Sequence, residues 1–383
     1  MSQLIKKFLG SFHSIDYGSI RITMENGKIY DFAGKKDGPK ADLIIYDIRA
    51  ISQFIKNGDI GFAESYKNKW CDSSDLISLF IFGLKNEECL EKYIYGSFLG
   101  RLISRIGYLF SLNTLRGSKK NIHAHYDIGN DFYQLWLDPS MTYSAAIFAH
   151  ESEDLTSAQY RKYDKIINRL KNSGRLLEIG CGWGGFAERA LLKGDYNLKA
   201  LTISEQQYRY AKNRLQNKAD FAIEDYRIQK GKYDQIVSIE MFEAVGENFW
   251  GTYFSKIKEL LTQTGKAIIQ TITIDNHYFD KYRKGGDAIR SFIFPGGMLP
   301  SAEKFVTASA KTGLVATDKF FFGQDYALTL KHWLATFEKN IEQIKALGFD
   351  EQFLRIWRFY LTFCIASFKS KRTNVMQIVL EHE

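Results

Sequence analysis

The chain has 383 residues, of which 45% are hydrophobic and 25% charged, a composition that is typical of globular proteins and excludes a collagen or a coiled coil. Four cysteines without CxxC spacing, and apolar runs shorter than the roughly 18 residues of a membrane-spanning helix, exclude a disulfide scaffold and an integral membrane protein. The 52 Lys and Arg against 44 Asp and Glu leave a net charge of +8, which favours phospholipid headgroups or nucleic acid as partners.

The sequence pattern predicts a small α+β module over residues 1–110 and a second, larger domain over residues 111–383. Segments 18–23 and 28–32 alternate in hydrophobicity around Asn26-Gly27, which is a strong hairpin signal. The pattern also predicts a strand over 42–47 and helices over 48–56, 73–82 and 90–110.

The end of this module carries an unusual charge pattern. Residues 92–126 contain six Lys or Arg, no Asp or Glu, and many apolar side chains. Such a pattern is typical of a basic amphipathic helix on an anionic membrane surface. A core helix whose arginines reach out to solvent is the alternative, whereas a nucleic-acid-binding face would be less apolar. Because residues 1–10 show no signal-peptide pattern, we expect a cytoplasmic protein that associates peripherally with the inner face of the membrane.

Strands and helices alternate between residues 160 and 274. The pattern predicts strands over 175–179, 198–203, 220–223, 233–239 and 266–273, with helices over 186–192, 205–215 and 249–261. This alternation favours a parallel sheet covered on both faces, with ligands bound at the carboxyl ends of its strands. Beyond residue 274 we expect an irregular insertion over 275–300, a helix over 301–312, a strand over 314–322, helical structure over 326–369 and a last strand over 374–380.

A glycine-rich turn follows the first of these strands. Residues 178–184 read Glu-Ile-Gly-Cys-Gly-Trp-Gly, and glycine lets a ligand approach the backbone without a Cβ in the way. A P-loop is excluded because no Gly-Lys-Ser/Thr follows. The spacing also departs from the G-x-G-x-x-G of dinucleotide-binding loops and resembles the loop of class I methyltransferases. A structural turn and a different cofactor remain open at this point.

Seven segments together carry a more specific resemblance. They are 125–133 (HYDIGNDFY), 136–144 (WLDPSMTYS), 177–185 (LEIGCGWGG), 201–207 (LTISEQQ), 241–246 (MFEAVG), 293–300 (IFPGGMLP) and 322–330 (FGQDYALTL). In this order and spacing they resemble the cyclopropane fatty acid synthase and mycolic acid cyclopropane synthase family of S-adenosylmethionine-dependent methyltransferases. The resemblance implies an α/β fold with a doubly wound, mostly parallel seven-stranded sheet and a small N-terminal α+β lipid-binding module. The implied reaction transfers a methylene to a cis double bond of a phospholipid-bound acyl chain, which yields a cyclopropane ring.

The resemblance also implies a set of cofactor-binding residues. Carried onto matching positions, they are Tyr143, Ser144, Gly180, Cys181, Gly182, Trp183, Gly184, Thr202, Ser204, Gln207, Asp225 and Tyr226. Packing is the alternative role of the two tyrosines, and a turn without ligand is the alternative for the glycines. We expect no metal site.

The chemistry of ring closure requires a base that removes a proton from the transferred methyl group. In the family this base is a bound bicarbonate held by a cysteine, a glutamate, a histidine, a tyrosine and a backbone group. Glu243, Tyr326 and the backbone of Ile272 match, and Glu243 is the residue that we expect to act in ring closure. The cysteine position reads Ala145 and the histidine position reads Gln270, which leaves the bicarbonate site with fewer donors.

Two further residues have open roles. Cys364 matches a cysteine once assigned as catalytic in the family, although no step needs a thiol and its surroundings resemble an apolar helix. Glu240 ends the fourth strand of the predicted sheet, where it contacts the reactants or supports those that do.

Alternative functions follow from the same residues. The alternative suggested by Ala145 is a lipid methyltransferase of the same fold that gives methyl-branched chains without ring closure. A lipid-binding protein with a decayed site is disfavoured because Glu243, Tyr326 and the glycine loop are retained. A nucleic-acid methyltransferase is disfavoured because the chain lacks a base-flipping motif. A homodimer is left open.

Overall fold

The computed structural model describes residues 3–97 and 128–383. The strands are β1 (Tyr17–Thr23), β2 (Ile29–Ala33), β3 (Lys36–Ile45), β4 (Cys71–Asp72), β5 (Ser173–Ile179), β6 (Asp195–Thr202), β7 (Asp220–Ile223), β8 (Tyr233–Ile239), β9 (Leu261–Ile274), β10 (Leu314–Phe321) and β11 (Thr373–His382). The helices are α1 (Gln3–Gly10), α2 (Arg49–Lys67), α3 (Leu76–Lys85), α4 (Glu87–Tyr95), α5 (Asn130–Gln134), α6 (Leu155–Ile167), α7 (Gly185–Lys193), α8 (Glu205–Leu215), α9 (Trp250–Leu260), α10 (Asn276–Lys284), α11 (Ala288–Phe292), α12 (Ala302–Ala310), α13 (Gly323–Lys339), α14 (Ile341–Ala346) and α15 (Glu351–Lys369).

The chain folds into two compact units that are not continuous in sequence. The first unit comprises the described residues of Met1–Phe110 together with Asp280–Pro295 and Ile341–Arg372. The second comprises the described residues of Ser111–Phe279 with Gly296–Asn340 and Thr373–Glu383. Residues 280–295 and 341–372, which the sequence pattern placed in the second domain, belong instead to the first unit.

Packing of α15 explains the correction. The guanidinium of Arg355 donates to a carboxylate oxygen of Asp72 at 3.0 Å and to the carbonyl of Cys71 at 3.1 Å. The ring of Phe359 lies 5.2 Å from that of Phe80 on α3. An apolar helix late in the chain therefore completes the core of the N-terminal module. No local pattern in the sequence predicts that this helix packs against residues near the start of the chain.

The first unit is an α+β module, as predicted. Its sheet has the order β2-β1-β3-β4, with β1 and β2 antiparallel around the Asn26-Gly27 turn and β1 and β3 parallel. The predicted strand over 42–47 begins earlier, at Lys36, because the polar residues at its start pair with β1.

Glycines shape two predicted helices of this unit differently from expectation. The helix expected to stop at Asn57-Gly58 breaks at Gly58, whose φ is +59°, and then continues to Lys67. An added Cβ on Gly58 would lie 2.4 Å from the carbonyl oxygen of Ile94, so the backbones approach closely here. The helix expected over 90–110 ends at Tyr95, because Gly96 adopts a φ of +71°.

The basic stretch lies mostly outside the described residues, since positions 98–127 are not among them. Its amphipathic character therefore stays a prediction. Within residues 3–97 and 128–383, no helix combines the length and the hydropathy needed to cross a bilayer.

The second unit contains the predicted seven-stranded, mostly parallel sheet. Its order is β10-β11-β9-β8-β5-β6-β7, and every neighbouring pair is parallel except the two that involve β11. Adjacent residues of the inner strands, such as Ile236 and Val237, are fully buried, because helices cover both faces of the sheet. The strand order reverses at β5, so the crevice at its carboxyl end is the expected ligand position.

The predicted strands and helices between 160 and 274 are confirmed, with ends that shift by a few residues. The expected irregular insertion contains the helices α10 and α11. The helical stretch over 326–369 is divided into α13, α14 and α15. One division falls at Gly348, which has a φ of +97° and precedes the N-cap Asp350.

Candidate active site

The glycine loop forms an open cradle at the carboxyl end of β5. Gly180, Gly182 and Gly184 have φ values of +84°, +51° and +83°, in the region that favours glycine. The amides of Gly180 and Cys181 both donate to the carbonyl of Leu201 at 2.9 Å, which ties the loop to β6. An added Cβ on Gly182 would meet nothing within 4 Å, whereas one on Gly184 would lie 3.1 Å from Leu215. Gly182 therefore faces open space, and Gly184 packs against α8.

The predicted cofactor residues after β6 bond to one another. The hydroxyl of Thr202 donates to the side-chain carbonyl of Gln207 at 2.9 Å. The hydroxyl of Ser204 caps α8 by accepting from the amide of Gln207 at 3.3 Å. These contacts hold polar side chains at the carboxyl end of β6, beside the glycine loop.

Asp225 and Tyr226 follow β7 at the same edge of the sheet. Arg227 donates to both carboxylate oxygens of Asp225, at 2.8 and 2.6 Å. The buried ring of Tyr226 lies 5.4 Å from that of Tyr253, and burial raises the pKa of its hydroxyl. Tyr226 therefore has a packing role in addition to any contact with a cofactor.

Aromatic side chains build the neighbouring wall. Trp183 donates through Nε1 to Asn130 at 2.8 Å, and its ring lies 5.0 Å from Tyr133. Tyr143 lies 5.6 Å from Tyr133 and 5.3 Å from Trp333. Rings of this kind attract cations, and the sulfonium of S-adenosylmethionine is one.

Ser144 and Cys181 are both buried beside this wall. The hydroxyl of Ser144 accepts a hydrogen bond of 2.7 Å from Nζ of the fully buried Lys162, and its carbonyl accepts one from Gln159. Burial lowers the pKa of Lys162 and raises that of the Cys181 thiol, which disfavours a thiolate.

The carboxylate of Glu240 and its three hydrogen-bond donors form a carboxylate centre at the carboxyl edge of the sheet. Glu240, at the end of β8, accepts at Oε1 from the amide of Ala145 at 2.9 Å and from Nε2 of Gln270 at 2.8 Å. Its Oε2 accepts from the hydroxyl of Tyr326 at 2.8 Å. Burial raises the pKa of Glu240, and these three donors oppose that shift.

Glu243, the residue that the sequence favoured for ring closure, has different hydrogen-bond partners from Glu240. Its Oε1 accepts from the amide of Ile272 at 2.5 Å, and Oε2 is buried without a hydrogen-bond partner among the described residues. Burial and the negative charge of Glu240 raise the pKa of Glu243 to about 8. Glu243 is therefore mostly protonated at neutral pH, a state that suits its position next to a second carboxylate.

A chain of amides orients Gln270. Nε2 of Gln377 donates to Oε1 of Gln270 at 3.1 Å, and Arg169 donates to Oε1 of Gln377 at 2.9 Å. Gln270 and Gln377 are paired in register on β9 and β11 and are almost fully buried. Because its oxygen is used in this way, Gln270 presents its NH₂ group to Glu240.

The role of Glu240 was open from the sequence, and Lys162 and Gln377 were not among the predicted site residues. A signal existed for Gln377, because it is an amide that interrupts the apolar run of β11 between Met376 and Ile378. Lys162 gave none, since it lies in an ordinary polar helical pattern.

Cys364 belongs to the first unit, unlike the other predicted site residues. It lies on α15, where burial raises the pKa of its thiol. The raised pKa gives no support to a nucleophilic thiolate, and its catalytic role stays a prediction. Within the described ranges, no three His, Cys, Asp or Glu side chains lie close enough to hold a metal ion.

We expect Glu243→Gln to become more stable relative to the parent protein as the pH rises from 5 to 8. The pKa of Glu243 is raised, so its stabilising contribution is complete below the ordinary value of about 4.3 and is lost as the pH rises towards 8. Glutamine does not titrate, and the difference in unfolding free energy should grow by at least about 1 kcal/mol. Urea unfolding at three pH values measures it.

The exposed Glu303, at the start of α12, provides the control. Glu303→Gln should show no comparable dependence on pH. A stability difference between Glu243→Gln and the parent that is constant from pH 5 to 8 would contradict the raised pKa.

The doubly wound sheet, the open glycine loop and the polar residues at the carboxyl ends of β6 and β7 define a class I methyltransferase that uses S-adenosylmethionine. The residues fit this cofactor, because an added Cβ on Gly182 would meet no protein atom within 4 Å and the loop therefore leaves open space for a ligand.

Comparisons with known proteins place the chain within this class. The family model described as mycolic acid cyclopropane synthetase matches residues 113–378. The tuberculostearic acid methyltransferase of Mycobacterium tuberculosis is 31% identical over 367 residues, which cover 91% of this chain and 85% of that protein. The cyclopropane-fatty-acyl-phospholipid synthase of Escherichia coli is 31% identical over 344 residues, covering 88% and 87%. A crystal structure of a mycolic acid cyclopropane synthase complexed with SAH and CTAB has a TM-score of 0.64 at 31% identity, covering 68% of this chain and 97% of that one.

The chain belongs to the mycolic acid cyclopropane synthetase family. It is an S-adenosylmethionine-dependent methyltransferase that modifies lipids by cyclopropanation or methylation.

Proposed function

We propose that the protein converts a cis double bond of a phospholipid-bound unsaturated acyl chain into a cyclopropane ring. The observation that carries this proposal is a carboxylate held by three donors at the carboxyl edge of the sheet, in the same unit as the glycine loop. Simple methylation of a nucleophilic atom needs no such group, whereas ring closure needs a base, as does loss of a proton to give an unsaturated methylated chain. The aligned relative named cyclopropane-fatty-acyl-phospholipid synthase, at 31% identity, supports the same substrate class.

S-adenosylmethionine, when bound, supplies a methyl group on a positive sulfur that keeps the bonding electron pair when the π electrons of the alkene take the methyl. The described residues have three tasks around this chemistry. The glycine loop leaves room for the cofactor, the aromatic wall excludes water and stabilises positive charge, and the carboxylate centre removes a proton.

Ring contacts connect the aromatic wall to the carboxylate centre. Trp333 contacts both Tyr143, at 5.3 Å, and Tyr326, at 6.0 Å, and the hydroxyl of Tyr326 bonds to Glu240. Aromatic faces stabilise a carbocation without capturing it, so the cation on the acyl chain survives until the proton is removed.

Analysis of lipids from a host without such enzymes tests the proposal. Expression of the protein should produce acyl chains that are one CH₂ heavier than the unsaturated chain and that take up no hydrogen under mild hydrogenation. The Gly182→Val variant, which lacks the cofactor cradle, should produce none. Heavier chains that take up hydrogen, or that are saturated and branched, would instead support the product without ring closure.

We also propose that the enzyme meets its substrate at the inner face of the membrane. The support is the net charge of +8 and the basic stretch over 92–126, most of which lies outside the described residues. Co-sedimentation with anionic and with neutral phospholipid vesicles separates an electrostatic contribution from simple adsorption, because only the former is lost at high salt.

A further inference from the structure

Three positions that the family resemblance assigns to a bound bicarbonate supply hydrogen bonds within this protein, one of them through a backbone amide instead of a cysteine side chain. The amide of Ala145, the side-chain NH₂ of Gln270 and the hydroxyl of Tyr326 all donate to the carboxylate of Glu240, at 2.8 to 2.9 Å. A carboxylate and a bicarbonate share the planar pair of oxygens that accepts such bonds. The residues present therefore do not fit a bicarbonate in this position, because a side chain of the protein occupies it.

We propose that the Glu240 carboxylate is the catalytic base of this enzyme and replaces the bicarbonate of the family, an inference that rests on the proposed function. Both substitutions that leave a bicarbonate site with fewer donors, at positions 145 and 270, are then compatible with catalysis. Ala145 donates to the glutamate through its backbone amide, so no side-chain donor is needed at this position, and Gln270 is neutral and donates without changing the charge of the centre.

The backbone at Glu240 is built to aim this side chain. Glu240 has a φ of +49°, a left-handed conformation that glycine adopts freely and other residues adopt at a cost. Its amide donates to the carbonyl of Gln270 at 2.7 Å, which holds the strained position at the edge of the sheet. Strain of this kind persists at functional sites because the surroundings determine it.

The carboxylate retains the capacity to take a proton. Oε1 accepts two hydrogen bonds, and within the described ranges Oε2 accepts one, from Tyr326, so a lone pair of Oε2 is available. The neighbouring Glu243 does not compete, because its pKa of about 8 leaves it protonated at neutral pH. Its neutral state also spares Glu240 the repulsion of a second charge.

The proposed step is a proton transfer that is coupled to ring closure. A C–H bond of the transferred methyl group breaks, and the proton goes to Oε2 of Glu240. The electron pair of that bond forms the new C–C bond to the cationic carbon of the acyl chain, which closes the ring and removes the positive charge. No oxidant, reductant or further reactant is needed.

Bicarbonate dependence tests the inference. In buffer freed of carbon dioxide the parent enzyme should keep its turnover, and added bicarbonate should change turnover less than twofold. Glu240→Gly should lose at least about 100-fold in turnover, and added bicarbonate or formate should restore a large part of it. Glu240→Gln should lose as much and regain nothing, because its amide fills the space without supplying a base.

A binding measurement on the protein without cofactor provides an independent readout. Carbon-13 NMR of labelled bicarbonate should detect binding to Glu240→Gly and not to the parent protein or to Glu240→Gln. The matched control is Gln216→Gly, another non-glycine residue with a left-handed φ, of +53°, which is exposed on the same unit. It should neither bind bicarbonate nor respond to it.

The outcomes separate the inference from the proposed function. Loss of parent turnover on removal of carbon dioxide, or bicarbonate binding to the parent protein, would overturn the role of Glu240 while leaving cyclopropanation intact. Lipids without any ring would overturn the proposed function, whatever the binding data show. If Glu240→Gly fails to fold, Glu240→Gln and the bicarbonate response of the parent still decide the inference.

Discussion

Gly182→Val is expected to abolish measurable binding of S-adenosylmethionine, a loss of at least about 100-fold, which corresponds to about 2.7 kcal/mol. An added Cβ would meet nothing of the protein within 4 Å, so the new side chain enters the space left for the cofactor. The left-handed φ of +51° makes valine strained, at about 1–3 kcal/mol of folding stability. Gly182→Ala reduces that strain and should still weaken binding about tenfold. Calorimetry measures the affinity, and urea unfolding measures the stability.

Variants of two other glycines distinguish the effect of backbone strain from the effect of a side chain in the cofactor space. Gly27, in the β1–β2 turn, also has a left-handed φ, of +77°, and nothing within 4 Å of an added Cβ, so Gly27→Ala should cost stability and leave cofactor affinity unchanged. Gly184→Ala places its Cβ 3.1 Å from Leu215 and should cost more stability than Gly182→Ala. Equal affinity of Gly182→Val and the parent would remove the loop from the cofactor site.

Much of the second unit follows from local sequence patterns. The strands over 160–274 are short apolar runs, and their alternation with amphipathic helices leaves few topologies other than a doubly wound sheet. The hairpin at Asn26-Gly27 was equally predictable, since this dipeptide by itself favours a tight turn between two strands. Helix ends were less predictable where a glycine allows close approach of two backbones, as at Gly58.

The carboxylate centre was only partly accessible from the sequence. Topology places Glu240, Gln270 and Tyr326 near the carboxyl edge of the sheet, but hydrogen bonds between residues 30 and 86 positions apart depend on strand register and side-chain rotamers. The pairing of Gln270 with Gln377 likewise requires β11 to return beside β9. Resemblance to a family pointed to Glu243, because the matching motif contains it, whereas the contacts that favour Glu240 exist only in the folded chain.

Tyr326→Phe should slow turnover by about 10- to 100-fold, because a hydrogen bond to a charged group contributes about 1.5–3 kcal/mol. The hydroxyl of Tyr326 donates to Glu240 at 2.8 Å, and phenylalanine keeps the ring that contacts Trp333. Loss of this donor raises the pKa of Glu240, since the donor favours the charged form. A base with a raised pKa is protonated up to a higher pH, so the acidic limb of the pH–rate profile should move to higher pH while S-adenosylmethionine affinity changes little.

The matched control for this variant is Tyr196→Phe. The hydroxyl of Tyr196 is buried in the core of the same unit and has no hydrogen-bond partner among the described residues. Its removal should leave both the rate and the pH profile of the enzyme unchanged. A Tyr326→Phe enzyme that is slower by the same factor at every pH would argue that Tyr326 only packs against Trp333. A slower enzyme with a shifted limb, next to an unchanged Tyr196→Phe, identifies the hydroxyl as one of the donors that favour the ionised form of Glu240.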